Sequence, residues 1–133
     1  MRRGSRRDAP RVLGLLGGGG NERACRRLLG GLQTDVYLAE DARGTVVGLV
    51  SVAYARSLVQ GGLVALLDGV RAPDDRAPVV AGLVAFAEER ARTRGCRHLA
   101  ARVAPEDAAL RAALIARGYA AGDLFSTELG ATA

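Results

Sequence analysis

The pattern of apolar and polar positions predicts a run of strands in the middle of the chain. Two β-branched segments, residues 36–39 and 45–55, flank the sequence Asp41-Ala42-Arg43-Gly44, and a turn of this type between such segments predicts a hairpin. The second segment is apolar throughout, as expected for a central strand that is covered on both faces. Residues 63–70 predict a further strand after the glycines at 61 and 62.

Helical periodicity appears on both sides of these strands. Ser5 and Asp8 have the spacing of a capping box ahead of an apolar stripe at 12–16, and the glycines at 17–20 end that helix. Asn21 predicts the cap of a second, short helix. A long helix is predicted from Pro78, with Gly95 as its C-cap, and a last helix from about residue 105 to Gly118.

Short strands are predicted at residues 1–4, 96–103 and 124–129. The predicted order is therefore β-α-α-β-β-β-α-β-α-β. This order indicates an α/β fold with a mixed, mostly antiparallel central sheet that is flanked by helices. With 133 residues and 49% hydrophobic residues, the chain is predicted to form a single domain over 1–133.

The positive charge lies at one end of the sequence. The net charge is +5, but residues 1–27 contain eight arginines against Asp8 and Glu22, whereas the remainder carries a net charge of −1. There is no lysine, and the abundance of Ala, Gly and Arg is typical of high-GC coding rather than of phosphate contacts. A nucleic-acid partner is therefore not expected, although a basic N-terminal face that meets an acidic partner stays open.

Cys25 and Cys96 are too few for a disulfide framework, and neither has metal-ligand spacing around it. We therefore expect reduced thiols and no metal site. The apolar segment at 12–16 is too short for a signal peptide, and no segment is long enough to cross a membrane. We therefore expect a cytoplasmic protein that does not contact a membrane.

The stretch from residue 66 to 95 passes from a strand through a short loop into a helix, and unpaired N–H groups at a helix start favour an anion. It resembles the acyl-CoA-binding segment of the GNAT superfamily of N-acetyltransferases. Asp68 matches the strand acid of that family, and Arg76 and Ala81 match the two ends of its (Q/R)-x-x-G-x-(G/A) signature. The signature is degenerate, since Val79 replaces the central glycine.

The resemblance extends over nearly the whole chain. Gly48 matches a glycine of the family's strand meander, and Gly118-Tyr119 matches its Gly-aromatic ending. The resemblance implies an acyl-CoA-dependent N-acyltransferase that uses acetyl-CoA or another acyl-CoA as co-substrate, without a metal. The implied acceptor is an amine of a small molecule or of a protein, and a homodimer stays open.

The resemblance also implies a set of site residues. Asp68 would be the general base, acting through water, and the backbone at Val70 and Arg71 would polarise the acyl carbonyl. The remaining residues implied for cofactor binding are Arg76, Ala77, Val79, Val80, Ala81, Gly82 and Asp107. Each of these residues also has a plainer interpretation. Asp68 would be an exposed strand acid, and Arg71 and Arg76 would be solvated loop arginines. Asp107 would be a residue that starts a helix.

Several departures favour a rival interpretation, in which a GNAT-like protein has lost catalysis and serves as a binding or regulatory module. Leu114 occupies the position of the family's tyrosine proton donor, Ala77 replaces a second glycine, and Pro78 lacks an N–H. Tyr37 and Tyr54 are expected in the core or at its rim, and His98 is expected to be structural. A third interpretation is an interaction domain acting through residues 2–27.

Overall fold

The computed structural model describes residues 1–15, 22–29, 34–72 and 77–122, together with Thr127 and Leu129. The strands are β1 (Arg2–Arg3), β2 (Thr34–Glu40), β3 (Val46–Ser57), β4 (Gly62–Arg71) and β5 (His98–Ala101). The helices are α1 (Ala9–Leu15), α2 (Glu22–Leu29), α3 (Ala77–Thr93) and α4 (Ala108–Ala116), and a 3₁₀ turn at Arg6–Asp8 precedes α1. Within these ranges, no helix combines the length and apolar character needed to cross a lipid bilayer.

The strands form one five-stranded sheet in the order β1-β2-β3-β4-β5. Neighbouring strands are antiparallel except for β4 and β5, which run parallel and are joined through α3. The hairpin predicted between β2 and β3 is confirmed, with Gly44 at a positive φ of 79° in its turn. The predicted element order is confirmed as far as α4, and the predicted final strand at 124–129 lies mostly outside the described residues.

Each face of the sheet carries its own hydrophobic core. The helices α3 and α4 cover one face, where Val50, Val52 and Leu67 meet Leu83 and Val84. The helices α1 and α2 cover the other face, where the buried residues are Ala9, Val12, Leu29, Val36, Leu38, Val46 and Leu49. Coverage on both sides explains the uninterrupted apolar run in β3.

The helix boundaries follow local capping. The Ser5 N–H donates to the Asp8 carboxylate at 2.8 Å, as the predicted capping box requires, whereas the predicted cap Asn21 lies outside the described residues. Asp107 caps α4 by accepting from the Leu110 N–H at 3.2 Å. Gly95, with φ of 86°, follows α3 as the sequence predicts.

The C-terminal half of α3 is fixed to the segment that follows α4. The Glu88 carboxylate accepts from Arg117 Nε and from the Tyr119 hydroxyl, both at 2.9 Å. The Arg117 guanidinium, and after it the Tyr119 bond, hold the pKa of Glu88 below its ordinary value, against the opposing effect of burial. Arg92 makes only a looser contact with Glu88, at 4.0 Å.

Candidate active site

The candidate site begins at an irregularity in β4. Ser51 of β3 pairs with Gly69, but the next residue, Val52, pairs with Leu67, so Asp68 is an extra residue that bulges out of the ladder. Asp68 is exposed, whereas Leu67 and Val70 on either side are buried. The bulge therefore presents a carboxylate to solvent from a strand whose neighbouring side chains are held in the core.

β5 leaves β4 at the same point. The parallel pairing runs from Val64 opposite His98 to Leu67 opposite Ala101, and the Arg102 N–H then reaches the Leu67 carbonyl at 3.4 Å. In the part of the chain that the structure describes, the last four residues of β4 have a strand on one side only. We call this opening, between residues 68–71 of β4 and residues 102–107 after β5, the β4–β5 wedge.

The start of α3 follows β4 closely in sequence and contributes N–H groups that have no partner within the helix. An α-helix leaves its first N–H groups without an intrahelical partner. Here Ala77 and Val79 supply such groups, whereas Pro78 has no N–H to offer. Ala77, Pro78 and Gly82 are exposed, so the described part of this helix end presents accessible backbone to an anion.

Val79 does not protrude into solvent at this helix start. Its side chain is half-buried and packs against the core, and a Cβ on Gly48 would lie 3.4 Å from Val79 Cγ1. The same Cβ would lie 3.2 Å from Leu83 Cδ1, so the missing side chain at Gly48 lets α3 approach β3 closely. The extra bulk of valine in the signature is therefore accommodated against the sheet.

Arg71 and Asp107 connect the two sides of the β4–β5 wedge. Arg71 Nη1 donates to the Val70 carbonyl at 3.0 Å and lies 3.7 Å from Asp107 Oδ2. The Arg71 side chain is 47% exposed, whereas that of Asp107 is 16% exposed and caps α4. Arg71 is therefore a cation at the opening of the wedge, while the carboxylate of Asp107 is already engaged in the fold.

The other implied residues divide between backbone and side-chain positions. Val70 and Val80 are buried, each 3% exposed, so only their backbone could meet a ligand. Ala81 is half-buried on the same helix. Arg76 lies outside the described residues.

Residues that could have supplied other chemistry lie elsewhere. Leu114 is buried, with 6% exposure, in the core under α4, and Tyr37 is buried against Phe86 with ring centroids 4.8 Å apart. Burial raises the pKa of the thiols of Cys25 and Cys96, which disfavours the thiolate that a nucleophile needs. His98 is exposed at the start of β5. Among the described residues, no group of three or more histidine, cysteine or carboxylate side chains could hold a metal ion.

A second aspartate forms a cluster that the sequence did not reveal. Asp35 in β2 is fully buried and accepts from the Tyr54 hydroxyl at 2.9 Å and from Arg94 Nη2 at 3.0 Å. Arg3 Nη2 lies 3.4 Å from the same carboxylate, and the Arg94 guanidinium stacks 4.4 Å from the Tyr54 ring centroid. Burial, and then the bond to Asp35, raise the pKa of Tyr54 well above its ordinary value. The expectation that Tyr54 is structural fits this environment.

The sequence matches no family model and no curated protein, whereas the fold matches many solved structures. A putative acetyltransferase from Arthrobacter sp. FB24 is 26% identical, with a TM-score of 0.75 over 96% of this chain and 88% of that one. A transcriptional regulator from Bacillus halodurans C-125 is 19% identical, with a TM-score of 0.82 over 96% of each chain. An aminoglycoside N-acetyltransferase, AAC(6')-Iy, in complex with CoA is 19% identical, with a TM-score of 0.76 over 98% of each chain.

The mixed five-stranded sheet of this chain, with helices on both faces, matches the folds of these structures. The agreement covers nearly the full length of both partners in each comparison. This chain therefore has the fold of acetyltransferases of known structure.

Proposed function

We propose that this protein is an acyl-CoA-dependent N-acyltransferase, which transfers an acetyl group from acetyl-CoA to an amine of a small molecule or a protein. The observation that carries the proposal is the coincidence of the Asp68 bulge with the end of β4–β5 pairing. An exposed carboxylate and an unpaired strand edge then meet at one place. That place lies next to a helix start that offers free N–H groups.

The chemistry of the transfer defines what the chain must supply. An amine nitrogen attacks the thioester carbonyl carbon, the C–S bond breaks, the amine loses a proton and the leaving sulfur gains one. Because only a neutral amine has a lone pair to attack with, a base near the acceptor is needed. Asp68 is the proposed base, and it acts through water because its carboxylate is exposed.

Binding of the co-substrate is assigned to the start of α3 and to Arg71. The N–H groups of Ala77 and Val79 would face a diphosphate, helped by the positive end of the helix dipole. The Arg71 guanidinium is half exposed at the opening and would compensate for the donor missing at Pro78. The Val70 backbone, on the strand edge that β5 leaves, would donate to the acyl oxygen as charge develops on it.

The second candidate is a GNAT-like module that binds CoA or a partner without catalysis. It is favoured by Leu114, which stands at the position of the family's proton donor. A leucine has no hydroxyl, and this one is buried in the core. A structural neighbour described as a transcriptional regulator also has this fold, and shared fold does not imply shared activity. Either kind of module differs from the enzyme in having no turnover.

A thiol-release assay with acetyl-CoA and a panel of primary amines distinguishes them. The enzyme proposal predicts thiol release that depends on an amine, and a loss of about a hundredfold in kcat/KM for Asp68→Asn, the usual contribution of a general base. Glu89→Gln is the matched control, because Glu89 is also exposed but lies in the C-terminal half of α3, away from the wedge. Its turnover should equal that of the wild-type protein.

Two results would decide against parts of this proposal. Unchanged turnover in Asp68→Asn would remove Asp68 from its role as base. Acetyl-CoA binding without thiol release for any amine in the panel would favour the non-catalytic module.

A further inference from the structure

A second site lies on the opposite face of the sheet from α3. Arg6 of the 3₁₀ turn and Arg23, Arg26 and Arg27 of α2 line a single open cavity of about 440 Å³. All four residues are exposed, and the 3₁₀ turn and α2 are in contact. Side chains of four arginines from two segments therefore line one volume, which is within the usual size range of ligand sites.

Apart from Glu22 at the start of α2, the acids near these arginines are used elsewhere. Asp8 is bound by Arg2 at 2.7 Å, Arg2 also pairs with Glu40, and Arg3 lies against Asp35. Within the described residues, Arg6, Arg26 and Arg27 form no ion pair. The flanking segments 16–21 and 30–33 contain no acidic residue in the sequence, so they bring no counter-charge.

Such a concentration of like charge costs stability in the absence of an anion. Arg23 lies three and four positions before Arg26 and Arg27 on α2, and like charges at these helical spacings repel each other. Bringing Arg6 to the same cavity adds to the repulsion. A bound polyanion would replace this repulsion with attraction and so stabilise the folded protein.

The chemistry of the cavity selects the kind of anion. Guanidinium groups bind phosphate oxygens through pairs of parallel hydrogen bonds, and several of them suit linked phosphates better than one carboxylate. Residues 1–33 contain no Phe, Tyr or Trp, so the segment has no ring on which a nucleic-acid base could stack. This segment can therefore bind phosphates but offers no ring for base stacking.

We propose that Arg6, Arg23, Arg26 and Arg27 form a binding site for a group of linked phosphates, separate from the β4–β5 wedge. Free polyphosphate and the backbone of a nucleic acid both present this chemistry. The proposal does not depend on acyl transfer, since it involves neither Asp68 nor the start of α3.

Calorimetric titration of the full chain with inorganic triphosphate, in low salt, tests the site. The proposal predicts saturable binding that Arg26→Ala/Arg27→Ala weakens at least about tenfold. The matched control is Arg43→Ala/Arg56→Ala, which removes the same charge from exposed positions on the β2–β3 turn and β3. Binding by this control should equal that of the wild-type protein.

Duplex DNA of mixed sequence forms the second arm, with its affinity measured over a range of salt. Binding in this arm alone, lost in the α2 double variant, assigns the phosphates to a nucleic-acid backbone. Binding of triphosphate with no duplex binding assigns them to a free polyphosphate.

Three results would overturn the proposal. They are the absence of binding in both arms, an equal loss in the two double variants, and a triphosphate affinity that Arg26→Ala/Arg27→Ala leaves unchanged. The last result would place the bound triphosphate away from α2.

Discussion

Asp35 and Asp68 are aspartates on strands of the same sheet, and their surroundings are opposite. Asp35 is fully buried, and Tyr54, Arg94 and Arg3 bind or surround its carboxylate. Asp68 bulges from β4 and is exposed beside the β4–β5 wedge. A buried carboxylate with committed partners holds elements together, whereas an exposed one at an unpaired strand edge is available to a ligand.

In this fold, the contacts that hold elements together and the proposed site lie in different places. The Asp35 cluster joins β1, β2 and β3 to the residue after α3 and so fixes the far end of that helix. The near end of α3 packs closely over Gly48, and its first N–H groups have no partner within the helix. One end of α3 is therefore anchored by charge, and the other stays accessible.

The largest expected effect comes from Asp35→Ala. Removing this carboxylate leaves Arg94 and the Tyr54 hydroxyl without their partner, which should lower the free energy of unfolding by about 3 kcal/mol, the lower end for broken buried pairs. Urea unfolding followed by circular dichroism measures it. Asp68→Ala is the matched control and should change stability by less than about 0.5 kcal/mol. Equal losses in the two variants would contradict the comparison.

The next largest effect is expected at Gly48. A valine there would press on Leu83 and Val79, where even a Cβ comes within 3.2 to 3.4 Å, so α3 must shift away from β3. Overpacking of this kind costs about 2 kcal/mol, and acetyl-CoA affinity should fall with it. Gly62→Val is the control, since nothing lies within 4 Å of a Cβ at that position. Unchanged stability and affinity in Gly48→Val would contradict the close packing of α3.

The smallest effect is expected at Asp8, a third carboxylate, which is buried but pairs with a partly exposed arginine. Hydrogen bonds from Arg2 hold the pKa of Asp8 below its usual value of 3.8, against the effect of burial. The resulting stability is present above pH 4 and is lost as the pH falls toward the lowered pKa. Because the Arg2 side chain is 38% exposed, we expect only about 1 kcal/mol from this pair.

Unfolding free energies at pH 7 and pH 3 measure this contribution. Asp8→Asn and Arg2→Ala should each reduce the difference between the two pH values by the same amount. If Asp8→Asn keeps the acid sensitivity of the wild-type protein, the Arg2–Asp8 pair is not its source.

The element order could be predicted from the sequence because glycines and periodicity mark it locally. Gly44, Gly95 and Gly118 all have positive φ at the turns where the sequence predicts an end. The contact that orders the start of the chain, Ser5 with Asp8, was also predicted because its partners are three residues apart.

The long-range features were not predictable in the same way. The bulge at Asp68 depends on how β4 aligns with β3. In an apolar strand, no local sequence pattern indicates this register. Asp35 and Arg94 are 59 residues apart, so no spacing rule connects them. The place of Val79 against Gly48 likewise depends on how α3 crosses the sheet. The roles assigned to Asp68, Arg71 and the start of α3 stay predictions.

The central claim is that the start of α3 and the β4–β5 wedge hold an acyl-CoA despite the degenerate signature. Thermal unfolding of the full chain with increasing acetyl-CoA tests it most directly. The account predicts a melting temperature that rises with concentration, corresponding to about 2.7 kcal/mol of stabilisation at one hundred times the Kd. A melting temperature that stays constant up to millimolar acetyl-CoA would contradict it.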